Sequence, residues 1–302
     1  MELAPIVLFV YDRPWHTKQT VEALQKNESA NKSELYIYSD DARNVGAKKN
    51  VDAVRAYIDR IKGFKKITIV KREKNWGLAN SIIDGVTKIV NEYGKIIILE
   101  DDLVTSPYFL RFMNEGLNIY EKEKEVASIH GYIYPIEDLP DTFFIKGADC
   151  WGWATWKDRW DSIDWLVKDF KMLRYDKQMK RKFELGGDDM YKMLELQMLG
   201  KIDSWAIRWC FSQFLQKRHT VYPVKSKVIN NGFNDSKGTH NSGGSSKWDV
   251  KVSNVKVDFV KLVVDANIIE CWKSYHDMSL FTKIGYFLKK FGGYKIIKKI
   301  IQ

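Results

Sequence analysis

The chain has 302 residues, of which 45% are hydrophobic and 29% charged, and its formal net charge is +10. That is the composition of an ordinary soluble globule, long enough for one large domain or two. Three scattered cysteines (Cys150, Cys210, Cys271) form no Cys-x-x-Cys pair, which argues against a disulfide framework or a zinc site and suits a reducing cytoplasm.

A strand is predicted over residues 4–11, and Pro14 suits the first turn of a helix running to about 26. The apolar run at 6–11 is too short for a signal peptide, and no segment approaches the roughly 20 apolar residues of a membrane span. The expected location is therefore cytoplasmic. A second strand follows at 34–39, a charged helix at 46–62 and a third strand at 66–71. An amphipathic helix at 78–93 leads into a strand at 95–99. Such alternation implies an α/β fold with a mostly parallel sheet and helices on both faces. A helix from 106–107 to about 121 and a strand at 126–130 come next. Beyond about 145 the pattern is less regular, with a helix at 205–217 and a polar loop at 230–246.

Chemistry concentrates at residues 95–103, Lys-Ile-Ile-Ile-Leu-Glu-Asp-Asp-Leu. An unbroken apolar run reads as a strand buried on both faces, so Glu100, Asp101 and Asp102 fall at its carboxyl end, where open α/β sheets bind ligands. Three adjacent acids repel one another and call for a cation; carboxylates suit Mg²⁺ or Mn²⁺, which recruit phosphate oxygens as further ligands. The plain alternative is a solvated acidic turn. Two other strands end in polar groups, Tyr11-Asp12-Arg13 and Ser39-Asp40-Asp41, on the same predicted rim. Arg13 can fork onto phosphate or ribose oxygens, and an acid after the second strand can accept from a base or a ribose hydroxyl. No Gly-x-Gly-x-x-Gly and no P-loop is present.

Residues 5–14 (PIVLFVYDRP), 75–81 (NWGLANS) and 98–103 (ILEDDL) together resemble the GT-A glycosyltransferases. The nearest likeness is to bacterial family 2-type sugar transferases, with a more distant one to the N-acetylglucosaminyltransferase I family. The resemblance spans residues 4 to about 241. It implies a GT-A (Rossmann-like) fold, a nucleotide-sugar donor, a divalent metal and inversion at the anomeric carbon. It implies that Asp102 ligates the metal, with Glu100 and Asp101 nearer the ribose, and that Asp41, or alternatively Asp40, reads the nucleobase. Arg13 matches a residue near the nucleotide, and Asn75 and Asn80 flank the turn into a helix facing the donor. Residues 1–145 are expected to form the donor-binding half of the domain and 146–265 the acceptor-binding half.

Inverting transfer needs a general base for the acceptor hydroxyl. Asp203, ahead of the helix at 205, is the candidate; its structural alternative is a helix cap. Asp188 and Asp189 are rivals, and Arg208 can pair with a carboxylate or with the leaving diphosphate. Residues 232–241 read as a lid in which Lys237 meets phosphate and His240 meets metal or phosphate. Five Trp between 151 and 165 offer a surface for sugar stacking or for core packing, with Trp153 expected first at the acceptor site. Gly152, between two indoles, suggests a close backbone approach.

The segment 266–302 is expected to be a basic amphipathic tail; residues 278–302 hold six Lys and no acid. It suits either an anionic membrane surface or packing on the domain. The resulting expectation is a metal-dependent glycosyltransferase that takes a nucleotide sugar and a glycan or lipid-linked acceptor in surface polysaccharide biosynthesis, with no nucleic-acid partner. The rivals are a sugar-phosphate nucleotidyltransferase and a non-enzymatic basic module that binds lipid or nucleic acid.

Overall fold

The computed structural model describes residues 2–147, 149–232 and 250–276, together with 284, 286, 287 and 290. Strands β1 (Ile6–Val10), β2 (Glu34–Ser39), β3 (Lys66–Lys71) and β4 (Lys95–Glu100) alternate with helices α1 (Pro14–Gln25), α2 (Val45–Ile58) and α3 (Leu78–Tyr93). Next come β5 (Leu103–Thr105), α4 (Phe109–Ile119), β6 (Val126–His130), β7 (Thr142–Lys146) and β8 (Trp153–Trp156). Short helices α5 (Lys157–Asp161), α6 (Phe170–Tyr175), α7 (Lys177–Phe183) and α8 (Met190–Met198) precede the longer α9 (Trp205–Leu215). β9 (His219–Pro223), β10 (Val228–Asn230) and α10 (Ala266–His276) complete the described elements.

Eight strands form one sheet in the order β3-β2-β1-β4-β8-β6-β9-β7. Pairings from β3 through β4 are all parallel, as the alternation of strand and helix predicts. β8 is wedged antiparallel between β4 and β6, and β7 closes the far edge antiparallel to β9. The expected class, an α/β fold with a mostly parallel sheet flanked by helices, is the observed one.

Alternation along buried strands feeds two cores. Ile6, Leu8 and Val10 of β1 and Ile97 and Leu99 of β4 face α1, α2 and α4, where Val21, Leu24, Val54, Phe109 and Phe112 complete the layer. Val7, Phe9, Ile96 and Ile98 face the other way, onto Ile82, Val86 and Ile89 of α3 and the indoles of Trp153, Trp160, Trp205 and Trp209. A third cluster packs α6–α8 against α9 through Leu173, Phe183, Leu194, Ile207 and Phe211.

Two local devices place the site. α3 begins after Gly77 at φ 74° and ends at Gly94 at φ 75°, so glycines mark both ends of the crossover that delivers the chain to β4. β5 pairs antiparallel with β10, with Leu103 opposite Asn230, which brings residues 230–232 back beside Asp102.

The described residues after 250 pack on the sheet and its helices. Trp272 of α10 is buried against Tyr134 and Tyr222, and Lys290 pairs with Glu195 of α8 at 2.8 Å. Of the two roles the sequence leaves open for 266–302, the described part of the segment packs on the domain. Among the described residues no helix is long and apolar enough to cross a membrane.

Candidate active site

The three acids stand at the carboxyl end of β4 and in the turn to β5, as the buried apolar run requires. Asp101 is buried at 8% exposure; its carboxylate accepts from the Tyr11 backbone N–H at 3.3 Å, and its carbonyl accepts from Thr20 Oγ1 at 2.8 Å. Burial, then the charge of Asp102, pushes the Asp101 carboxyl up to about 7. Burial, then the negative charges of Asp102 and Asp101, holds the Glu100 carboxyl well above the usual carboxylate range. Arg13, just before α1, answers this charge. Its Nη1 lies 2.7 Å from Asp102 Oδ2 and 3.7 Å from Asp101 Oδ1, and its Nη2 donates to the Gly232 carbonyl at 3.2 Å. The Asn231 backbone N–H donates to the Asp102 carbonyl at 2.9 Å, which fixes the β10 tail against the acids. Gly232 is pressed so close that a Cβ there would stand 2.2 Å from Asp102 Oδ2.

The donor set tests whether a divalent ion fits. Among the described residues no group of three or more His, Cys, Asp or Glu side chains converges to hold a metal. What the geometry offers is the Asp102 carboxylate, 17% exposed, in a pocket already balanced by a cation. Mg²⁺ and Mn²⁺ are compatible with such a set, since these ions take one or two carboxylates and fill their shell with water and phosphate oxygens. Lys237 and His240 lie outside the described residues.

Asp40 and Asp41 follow β2 yet face different neighbours. Asp40, 7% exposed, accepts from the backbone N–H groups of Trp76 at 2.8 Å and Gly77 at 2.9 Å and from Asn75 Nδ2 at 3.1 Å. It organises the turn into α3. Asn75 also donates to the Asp41 carbonyl at 2.7 Å, and Asn80 donates to the Trp76 carbonyl at 3.0 Å. These two asparagines thus brace the turn, and Asn80 opens onto a groove of about 810 Å³ running along α3 to Lys88. Asp41 keeps its carboxylate on the rim, beside Arg55 at 3.4 Å.

On the far side of β4, Ile98 pairs with Trp153, so the chain just before β8 passes Glu100. Cys150 lies there; burial raises its thiol first, and the charges of Glu100, Asp149 and Asp102 raise it further. Gly152, at φ 66°, brings its backbone so close that a Cβ would meet Phe109 and Val228 at 3.2 Å, the tight approach its place between indoles suggests. Trp153 corrects an expectation. It is 1% exposed and stacked on Trp205 at 5.3 Å, with Trp160 and Trp209 within 6.0 Å, so it is a core residue and lines no acceptor surface. Its place in a strand paired on both edges aims the indole into the inter-layer core.

Asp203 is not the cap of α9; Ser204 is, accepting from the Ile207 N–H at 3.3 Å. The Asp203 carboxylate is 61% exposed and held by Arg208 Nη2 at 3.0 Å. Sequence reasoning passed over Asp149, which accepts from Tyr134 Oη at 3.1 Å and from Tyr222. Burial, with Asp189 nearby, raises its carboxyl to about 6. The signal for it lay in a single acid just before the Trp cluster, too common a pattern to single out.

No protein-family model matches this chain, and no curated protein does. Solved structures do. One is a mannosyltransferase, PcManGT from Pyrobaculum calidifontis in complex with GDP-Man and Mn²⁺, at 13% identity over 43% of this chain and 38% of that one, with a TM-score of 0.32. Another is TarS of S. aureus, at 10% identity over 74% of this chain and 36% of that one, with a TM-score of 0.40. The matched region spans less than two fifths of the length of either.

Proposed function

We propose that this chain is a metal-dependent, inverting glycosyltransferase. It would move a sugar from a nucleoside-diphosphate sugar, with uridine favoured by the sequence resemblance, to a glycan or lipid-linked acceptor. The observation that carries this reading is the set of three acids at the carboxyl end of buried β4, with Asp102 turned to a cation and Asp101 held by the Tyr11 backbone just after β1. A parallel sheet binds ligands at that edge, and acids this crowded want a doubly charged ion with phosphate oxygens.

In this reading Asp102 holds Mn²⁺ or Mg²⁺. An ion held there by Asp102 would supply positive charge to offset the negative charge that develops on the leaving nucleoside diphosphate. Asp41 meets the nucleoside from the rim. Asp203, oriented by Arg208, takes the acceptor hydroxyl proton as that oxygen bonds to the anomeric carbon and the carbon–phosphate oxygen bond breaks. Work at the cytoplasmic face of a membrane, for surface polysaccharide synthesis, fits a basic protein with a lipid-linked acceptor.

Calorimetry of UDP and GDP with and without Mn²⁺ tests the donor site. Wild-type protein should bind one of them in a Mn²⁺-dependent way, and Asp102→Ala should abolish that dependence. Normal metal-dependent affinity in the variant would sink the assignment. Asp203→Asn should keep donor binding and lower kcat at least about a hundredfold, the usual size of a lost general base. Pyrophosphate release from a nucleoside triphosphate and a sugar phosphate would instead point to nucleotidyl transfer.

A further inference from the structure

We propose that Arg13 is the resident counter-cation of Asp102, and that it is displaced from that carboxylate onto the donor diphosphate when the divalent ion binds. The inference rests on the donor-site reading above and assigns a mechanism of coupling to it.

Arg13 is clamped between two chain segments: its Nη1 lies on Asp102 in the turn after β4, and its Nη2 on the Gly232 carbonyl after β10. The pair is shielded, with Arg13 12% and Asp102 17% exposed, so their attraction is screened far less than on an open surface. Space is short as well. A single carbon added at Gly232 would stand 2.2 Å from Asp102 Oδ2 and 2.9 Å from Arg13 Nη2. An ion seated on that oxygen and a guanidinium on the same oxygen would be two cations a few ångströms apart, which repel strongly where water is scarce.

Metal alone must therefore compete with Arg13 for Asp102. Metal arriving with a diphosphate faces no such contest, because the diphosphate gives the planar guanidinium a forked partner of opposite charge. The two ligands would then bind with positive coupling, each raising the affinity of the other by the same factor. Arg13 would thus keep the carboxylates charge-balanced in the empty enzyme and report the presence of donor. It is a positioning residue for the metal and a contact for the donor.

Titration of Mn²⁺ followed by the free-ion electron paramagnetic resonance signal, with no nucleotide and then with UDP or GDP, reads this directly. Arg13→Met should bind Mn²⁺ alone about tenfold more tightly than wild type, because the competing charge is gone. It should bind nucleoside diphosphate plus Mn²⁺ about tenfold more weakly, because the fork is gone. Arg13→Lys keeps the charge and loses the fork, so its Mn²⁺ affinity should stay near wild type while its nucleotide affinity falls. A general structural defect would weaken both ligands. Unchanged or weaker Mn²⁺ binding in Arg13→Met, in protein whose thermal melt matches wild type, overturns the inference. If Arg13→Met gains Mn²⁺ affinity but no form binds a nucleoside diphosphate, the ion-pair competition stands and the donor reading fails.

Discussion

Asp40 and Asp41 are neighbours in sequence, yet their substitutions should separate cleanly. Asp40 is buried and accepts from two backbone N–H groups and an asparagine amide in the turn before α3. Removing it leaves those donors unpaired, so Asp40→Ala should lower stability by about 2–4 kcal/mol, read as a shift in the urea midpoint. Asp41 makes a longer, partly exposed pair with Arg55, and Asp41→Ala should cost under about 1 kcal/mol. On the proposed function its effect falls on nucleoside affinity instead. The sequence marks both acids as candidates because both follow β2. Which of them turns toward residues 75–77 depends on a contact between segments some 35 positions apart, and no local pattern encodes that. The same holds for Arg13: a basic residue after β1 is visible in the sequence, but its grip on Asp102 and Gly232 depends on how three distant segments converge.

At the scale of elements, the first half was legible, and in the second the helix expected at 205–217 is α9, Trp205–Leu215, while the short elements around it were not. The βαβ alternation carries a clear apolar period, so helices and strands through β6 fall within a few residues of expectation, except β5, which is three residues long and was not foreseen. β7, β8 and α5–α8 are short, and the Trp-rich stretch around β8 shows no clean alternation because both its neighbours are strands and both its faces are buried. His130 shows how this region is held. Its Nδ1 lies 3.0 Å from the Tyr132 carbonyl and its Nε2 accepts from the Trp151 N–H at 3.1 Å, so a neutral imidazole ties the end of β6 to the chain entering β8. Burial lowers its pKa to about 3 from an ordinary 6.5. Between those values the unfolded chain binds a proton that the folded one does not, so this contribution is full above 6.5 and is lost as pH falls. At pH 5 the loss is about 2 kcal/mol. Asp149, raised to about 6, works the other way: the folded chain binds its proton first, and stability is gained as pH falls through 6. Asp101, raised to about 7, and Glu100 act in the same direction as Asp149, so the His130 contribution is read as a difference between wild type and variant. His130→Gln, which removes one side only, should be less stable at pH 8 yet lose about 2 kcal/mol less than wild type on going to pH 5. Urea unfolding at the two pH values checks it; parallel losses would show that His130 does not titrate on unfolding.

Over the whole molecule, the question is whether the carboxyl-terminal chain is an anchor or a structural strap. The basic, apolar-studded sequence after 266 suits either role. Packing favours the strap for the described part. Phe259 stacks on Phe112 of α4 at 5.1 Å, the Val260 carbonyl accepts from Tyr120 Oη at 2.5 Å, and Thr142 Oγ1 donates to the Asp258 carbonyl at 2.9 Å. Lys227, fully buried, donates its ammonium to the Val255 carbonyl at 2.6 Å, and burial lowers its pKa to about 8. Trp272 fills a pocket of Tyr134, Phe143 and Tyr222 and donates to the Gly186 carbonyl at 3.1 Å. Deleting residues 250–302 would strip one face of the first core and leave the Lys227 ammonium buried without its carbonyls. That protein should aggregate or bind a hydrophobic dye at 25 °C. Trp272→Ala, a large-to-small change in a packed site, should cost about 3–5 kcal/mol in urea unfolding. Deleting only 291–302 separates the roles, because the contacts named above all lie before it. Where the shorter deletion keeps the wild-type melt, any loss it shows in sedimentation with anionic vesicles would belong to the terminal basic and apolar segment. If instead the 250–302 deletion melts cooperatively near wild type, the strap contributes little and the chain after 250 is an appendage to an independent domain.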